Sequence, residues 1–134
     1  MPMKGGTKEI VIIAKDRVGL LADISAILAQ NNINIESVSV EVVKGKAVMR
    51  MSTSGEKKAI NLLKKAKYEV ISSDVVVVKL ADQPGQLSKI ARILADAGMN
   101  IENVHLLFKA GGKVFIAIKA EDHGKAAELL KNYV

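Results

Sequence analysis

Residues 82–104 read DQPGQLSKIARILADAGMNIENV, and residues 16–38 read DRVGLLADISAILAQNNINIESV. The two stretches align without a gap at an offset of 66 residues. Identical residues fall at Asp16/Asp82, Gly19/Gly85, Leu21/Leu87, Ile24/Ile90, Ile27/Ile93, Leu28/Leu94, Ala29/Ala95, Asn34/Asn100, Ile35/Ile101, Glu36/Glu102 and Val38/Val104. A stretch of this length repeated with its spacing intact marks one structural unit written twice.

The residues around the first copy give the unit its outline. Residues 9–14 (EIVIIA) are a short, β-branched apolar run that reads as a buried strand. Asp16-Arg17-Val18-Gly19 reads as a turn. Over residues 19–31, Leu21, Ile24, Ile27, Leu28 and Ala29 recur at helical spacing. The helix is expected to stop at Asn31-Asn32, because Asn tolerates the left-handed conformation that ends helices. Gly98, better suited still, holds the matching place in the second copy. Residues 33–43 and 47–52 flank Lys44-Gly45-Lys46 and read as a hairpin. Thr53-Ser54-Gly55-Glu56 has capping-box spacing for a second helix, with Ala59, Ile60, Leu62, Leu63 and Ala66 on its inner face. Residues 68–72 form a fourth strand. The order β-α-β-β-α-β predicts an α+β, ferredoxin-like unit, two helices on one face of an antiparallel sheet.

The second unit begins without a flexible linker. Residues 74–80 (DVVVVKL) are its first strand, and a helix over 84–97 follows, with Pro84 in its first turn. Residues 99–109, a Gly111-Gly112 turn and residues 113–119 make the second hairpin. The last helix runs over about 122–132, with Asp122 as its N-cap. The fourth strand of this unit is short or missing. That leaves a sheet edge of the kind proteins cover by pairing, so self-association is expected there. The domains are thus 1–73 and 74–134.

Bulk properties bound the function. The 134 residues suit two small units, each near the size at which a core is marginal alone. The chain is 49% hydrophobic and 25% charged, a globular composition. It has no cysteine, hence no disulfide framework, thiolate metal site or cysteine nucleophile, and it suits a reducing, cytoplasmic setting. No apolar run is long enough to span a membrane, and the start MPMKGGTKE does not read as a signal peptide. The net charge of +6 reads as a lysine-rich solvated surface.

A β-α-β-β-α-β unit whose first loop reads D-x-P-G-x-L and whose helix ends in A-G-x-N-I resembles the ACT domain, a small regulatory module of amino-acid metabolism. The motif is Asp82-Gln83-Pro84-Gly85-Gln86-Leu87 with Ala97-Gly98-Met99-Asn100-Ile101. The first half matches less fully, as Asp16-Arg17-Val18-Gly19-Leu20-Leu21 with Asn34-Ile35. The resemblance covers nearly the whole chain and is strongest to stand-alone tandem ACT proteins without a catalytic domain. It implies units paired side by side, their sheets joined into one extended sheet with the helices on one face. It also implies a small ligand, commonly an amino acid, between the loop of one unit and the second strand of its neighbour. Asp82 and the amides near Gly85 would then face Asn34, and Asp16 with Gly19 would face Asn100. Gln83, Pro84, Gln86, Leu87 and Leu20 belong to the same two loops. A homodimer and a regulated metabolic enzyme or regulator are the partners implied.

Elementary chemistry points the same way. A helix N-terminus offers unpaired N–H groups to a carboxylate. An aspartate offers a carboxylate to an ammonium, and an asparagine both donates and accepts. A plainer reading stands beside this one. Asp16 and Asp82 cap their helices, the glycines allow the turn, and Asn34 and Asn100 stabilise the turn into the next strand. Val18 replaces the proline and Arg17 brings bulk and charge, which sets the first site apart. Ala14 and Leu80 are apolar where some serine-binding relatives are polar, so serine is not inferred.

No catalytic constellation is present. The histidines are His105, in a strand, and His123, at a helix start; neither has a second metal ligand at standard spacing. No phosphate-loop motif occurs. The chain reads as non-catalytic, with no cofactor and no metal. The rival classes are an RNA-binding ferredoxin-like domain and an assembly module without a small ligand. The former stacks bases on sheet aromatics, and here only Phe108 and Phe115 lie in strands. Lys44/Lys46 and Lys64/Lys65 are isolated basic pairs, so nucleic acid is not the expected partner.

Overall fold

The computed structural model of the chain describes residues 9–134. The opening MPMKGGTK, with its Gly5-Gly6 pair and the signal-peptide reading, lies outside the described residues. The described residues fall into two compact units, one ending at Ser73 and one running from Asp74 to Val134.

The first unit runs β1 (Ile10–Lys15), α1 (Leu20–Gln30), β2 (Ile35–Val43), β3 (Lys46–Thr53), α2 (Glu56–Lys65) and β4 (Glu69–Ile71). Its strands lie in the order β2-β3-β1-β4, all antiparallel. Alternation along β1 sends Ile10 and Ile12 to the helical face, where they join Met49 and Met51 of β3. Ile24 and Leu28 of α1 and Ala59 and Leu63 of α2 close over them. Each large side chain so buried contributes about 1.5–3 kcal/mol. Lys44 and Gly45 both take positive φ, 48° and 81°, the primed turn that matches strand twist. Asn32, at φ 62°, is the left-handed residue ending α1, as Gly98 at φ 72° is for its twin.

The second unit runs β5 (Val76–Ala81), α3 (Gln86–Asp96), β6 (Ile101–Ala110), β7 (Lys113–Ala120) and α4 (His123–Leu129), then a 3-10 turn over Lys131–Tyr133. Its strand order is β5-β7-β6, again antiparallel. Among the described residues no strand follows α4, and β5 pairs on one side only. Val76, Val78 and Leu80 meet Ile90 and Leu94 of α3 and Ile116 and Ile118 of β7. Both units are ferredoxin-like, the second short of its last strand.

The structure departs from sequence expectation in several places. α3 begins at Gln86, not Pro84, because Gly85 at φ 89° is left-handed and cannot lie inside a helix. The 53–56 segment is not a capping box. Gly55 is the N-cap without a side-chain cap bond, Ser54 Oγ accepts from the Asn34 N–H, and Glu56 accepts from Ser73 Oγ. Ala66, expected on the inner face of α2, is exposed at its C-cap. α4 stops at Leu129, three residues before the expected end at Asn132. Asp122 does cap it, accepting from the Lys125 N–H at 3.1 Å.

The repeat also slips once. Val40 pairs with Met49 and Val42 with Ala47 in the first hairpin; Leu106 pairs with Ile116 and Lys109 with Val114 in the second. Between those pairs β2 carries only Glu41, whereas β6 carries Leu107 and Phe108. The extra residue is taken up as a register shift between Leu106 and Phe108, a β-bulge. A one-residue slip exchanges faces. Lys109 therefore shares the helix-facing side with Val114, and Phe108 turns to the opposite side. There it stacks on Phe115, ring centroids 4.5 Å apart.

Candidate functional site

Asp16 and Asp82 each follow directly on the first strand of their unit. Their N–H groups donate to Gly45 O at 2.8 Å and to Gly112 O at 3.0 Å, so the hairpin turn fixes each loop. Gly19 and Gly85 are the helix N-caps, at φ 86° and 89°, and no side chain caps either helix. The capping reading of Asp16 and Asp82 is thereby removed. At both glycines a side chain would be strained whatever the space around it.

The first turns of α1 and α3 hold unpaired donors. The N–H of Leu20 donates to Arg17 O and that of Asp23 to Gly19 O. Those of Leu21 and Ala22 have no hydrogen-bond partner among the described residues. In the second unit Gln86 donates to Gln83 O and Lys89 to Gly85 O, leaving Leu87 and Ser88 in the same state. Orphan amides at a helix start attract an anion. Gln83 donates its N–H back to Ala81 O, and Pro84 stands in the turn before Gly85.

In the first unit this loop borders a cavity of 430 Å³ lined by Asp16, Arg17, Gly19, Leu21, Val40 and Met49, among others. That volume suits a small molecule. Leu20 reaches the same cavity from the core, where it is buried. The Arg17 guanidinium is held by Asp23 at 2.8 Å and by the Tyr68 hydroxyl at 3.2 Å. The hydrogen bond to Asp23 raises the Arg17 pKa further above its already high ordinary value. In the second unit Lys109 Nζ lies 3.3 Å from Asp82 Oδ1.

Asn34 and Asn100 stand where β2 and β6 begin. The backbone of Asn34 exchanges hydrogen bonds with Ser54, and that of Asn100 with Glu121. The asparagines thus enter the turn through their backbones, bonded in part to the Ser54 and Glu121 side chains, and their own side chains remain exposed. Within a unit, Asp16 lies beside the hairpin turn and Asn34 at the other end of β2, on the order of 30 Å away along a nine-residue strand.

Sequence reading missed Lys109, the Arg17–Asp23–Tyr68 contacts and an exposed apolar stripe. Val38, Val40 and Val42 of β2 and Leu21 of α1 are exposed, and so are Val104 and Leu106 of β6 and Leu87 of α3. The stripe was legible as period-two valines. Lys109 was not, because its face depends on the bulge. Among the described residues no three His, Cys, Asp or Glu side chains gather as a metal site, and no helix is long and apolar enough to cross a membrane. Phe115 is fully buried, which removes it as an exposed base-stacking platform.

The family model for the ACT domain matches residues 8–68 and again residues 75–131. The chain belongs to the ACT domain family. Such domains are small-ligand regulatory modules and not catalytic ones. A solved protein from Bacteroides thetaiotaomicron is 26% identical, covering 94% of this ACT chain and 87% of its own, with a TM-score of 0.50. The regulatory subunit of aspartate kinase from Thermus thermophilus is 20% identical over 92% of this chain and 90% of its own, with a TM-score of 0.44. The small subunit of acetolactate synthase from Thermotoga maritima is 13% identical over 92% of this chain and 83% of its own, with a TM-score of 0.41. No curated protein matches this chain.

Proposed function

We propose that this tandem ACT protein is a non-catalytic regulator that binds a free amino acid where a motif loop of one unit faces the second strand of a neighbouring unit. The observation that carries the reading is the pairing, in both loops, of a motif carboxylate with two unengaged helix-start amides. An α-amino acid presents the complementary ammonium and carboxylate. Asp82, Gly85 and Leu87, with Gln83, Pro84 and Gln86 shaping the loop, face Asn34 of the neighbour; Asp16, Gly19 and Leu20 face Asn100. The neighbour is a unit of the same chain or of a second copy, and the working form is a homodimer. A ligand held across two units favours one relative placement, and it shifts a partner enzyme or regulator only as far as its affinity differs between placements. The absence of cysteine goes with a cytoplasmic location.

Thermal denaturation against the standard amino acids tests this. A ligand binding only the folded chain adds about 2.7 kcal/mol at a hundredfold excess over its dissociation constant. One or two amino acids raising the midpoint are expected. A flat panel removes the amino-acid reading and favours the second one, an assembly module, for which the exposed Val38/Val40 and Val104/Leu106 stripes speak. Nucleic acid is expected to give no shift.

A further inference from the structure

We propose that the two motif loops are unequal sites, and that Lys109 makes them so by occupying the Asp82 carboxylate that would otherwise take a ligand ammonium. This rests on the amino-acid reading above. In the first unit the position opposite Ala47, which corresponds to Lys109, is Val42. No hydrogen bond or ion pair engages the Asp16 side chain among the described residues. Of its two cationic neighbours in sequence, Lys15 and Arg17, Arg17 is held by Asp23 and Tyr68. The position of Asp23 is taken in the second unit by Lys89, whose Nζ lies 5.8 Å over the Tyr133 ring. In the first loop the charges of Lys15, Asp16, Arg17 and Asp23 cancel; in the second, Asp82, Lys89 and Lys109 leave a net positive charge.

The bulge between Leu106 and Phe108 absorbs Leu107 and so keeps Lys109 in the place of Val42. Were Leu107 paired regularly, Lys109 would fall opposite Lys113, as Val43 falls opposite Lys46, on the side away from the helices. With the bulge, Lys109 points to the helical side and reaches Asp82 at 3.3 Å. A neutral α-amino acid entering the second loop must displace Lys109 and then sit beside its charge. At the first loop Asp16 is open. The first site is therefore the tighter one for neutral amino acids, and Lys109 is a specificity-determining residue of the second.

Calorimetry of the whole chain with each standard amino acid tests this on Lys109→Val, Lys109→Arg, Asp16→Asn and Asp82→Asn variants. Lys109 is an exposed side chain, so its replacement leaves the core intact. Lys109→Val is expected to tighten the weaker class of sites by up to about fivefold, the affinity equivalent of one exposed ion pair. Lys109→Arg should keep the wild-type value, and Asp16→Asn should remove the tighter class. Weaker binding in Lys109→Val would overturn the proposal, for it would mean that Lys109 holds the ligand carboxylate. Loss of the tighter class in Asp82→Asn but not in Asp16→Asn would overturn it as well. A panel silent on the wild type and on every variant removes the amino-acid reading itself, and this inequality with it.

Discussion

Gly85 shows how little a single residue needs to do to place a site. A Cβ there would meet nothing within 4 Å, yet the residue sits at φ 89°. Its requirement is conformational and not steric. Gly85→Ala is expected to cost about 1–2 kcal/mol from left-handed strain alone, read as a lower urea midpoint with an unchanged slope. Gly85→Asn should recover much of that, since Asn visits this region more readily. Equal losses for both would mean that something other than backbone strain holds the loop. This position was legible from sequence, because the D-x-P-G spacing singles out the glycine. The role of Asp82 was only half legible: sequence offered capping or ligand binding, and the glycine N-cap removes the first. Reversing charge at both carboxylates, as Asp16→Lys with Asp82→Lys, should abolish amino-acid binding in a thermal-shift assay while the unliganded midpoint stays within about 0.5 kcal/mol of wild type, as for ordinary surface changes.

At the scale of elements, α1 and α3 each carry an apolar stripe that is covered at one end only. Leu28 and Leu94 are fully buried, whereas Leu21 and Leu87, two turns earlier on nearly the same side, are 43% and 44% exposed. Leu94→Ala should cost about 2–5 kcal/mol of folding stability, because it opens a cavity under β5 and β7. Leu87→Ala should cost under about 0.5 kcal/mol in the isolated chain. Chemical denaturation of the two variants compares them directly, and equal losses would mean that Leu87 is covered in solution. Helix periodicity gave both leucines the same apolar reading, since period alone does not say how far along the helix the stripe is covered. The capping box failed for a related reason. Ser54 and Glu56 have the right spacing, but Asn34 and Ser73, distant in sequence, engage them first.

For the whole molecule, the exposed β2 and β6 stripes carry the expectation of a second copy. Val40→Glu with Leu106→Glu places a charge in each stripe, and sedimentation at micromolar concentration should then show a smaller assembly than wild type. A wild-type chain that already sediments as a monomer would remove the homodimer. The duplicated architecture was legible because eleven identities survive at one spacing in the 82–104 and 16–38 stretches. The break in that spacing was not, because Leu107 is one apolar residue in an apolar strand and only pairing partners expose it. Considered as inheritance, Leu107 is the work of a single codon. One in-frame insertion (or the loss of its counterpart) left both copies of the gene segment translatable and both hairpins closed. It also moved codons 108 to 110 to an offset of 67 from their twins at 41 to 43, with every face kept. Lys109 and Val42 therefore differ in residue and not in placement.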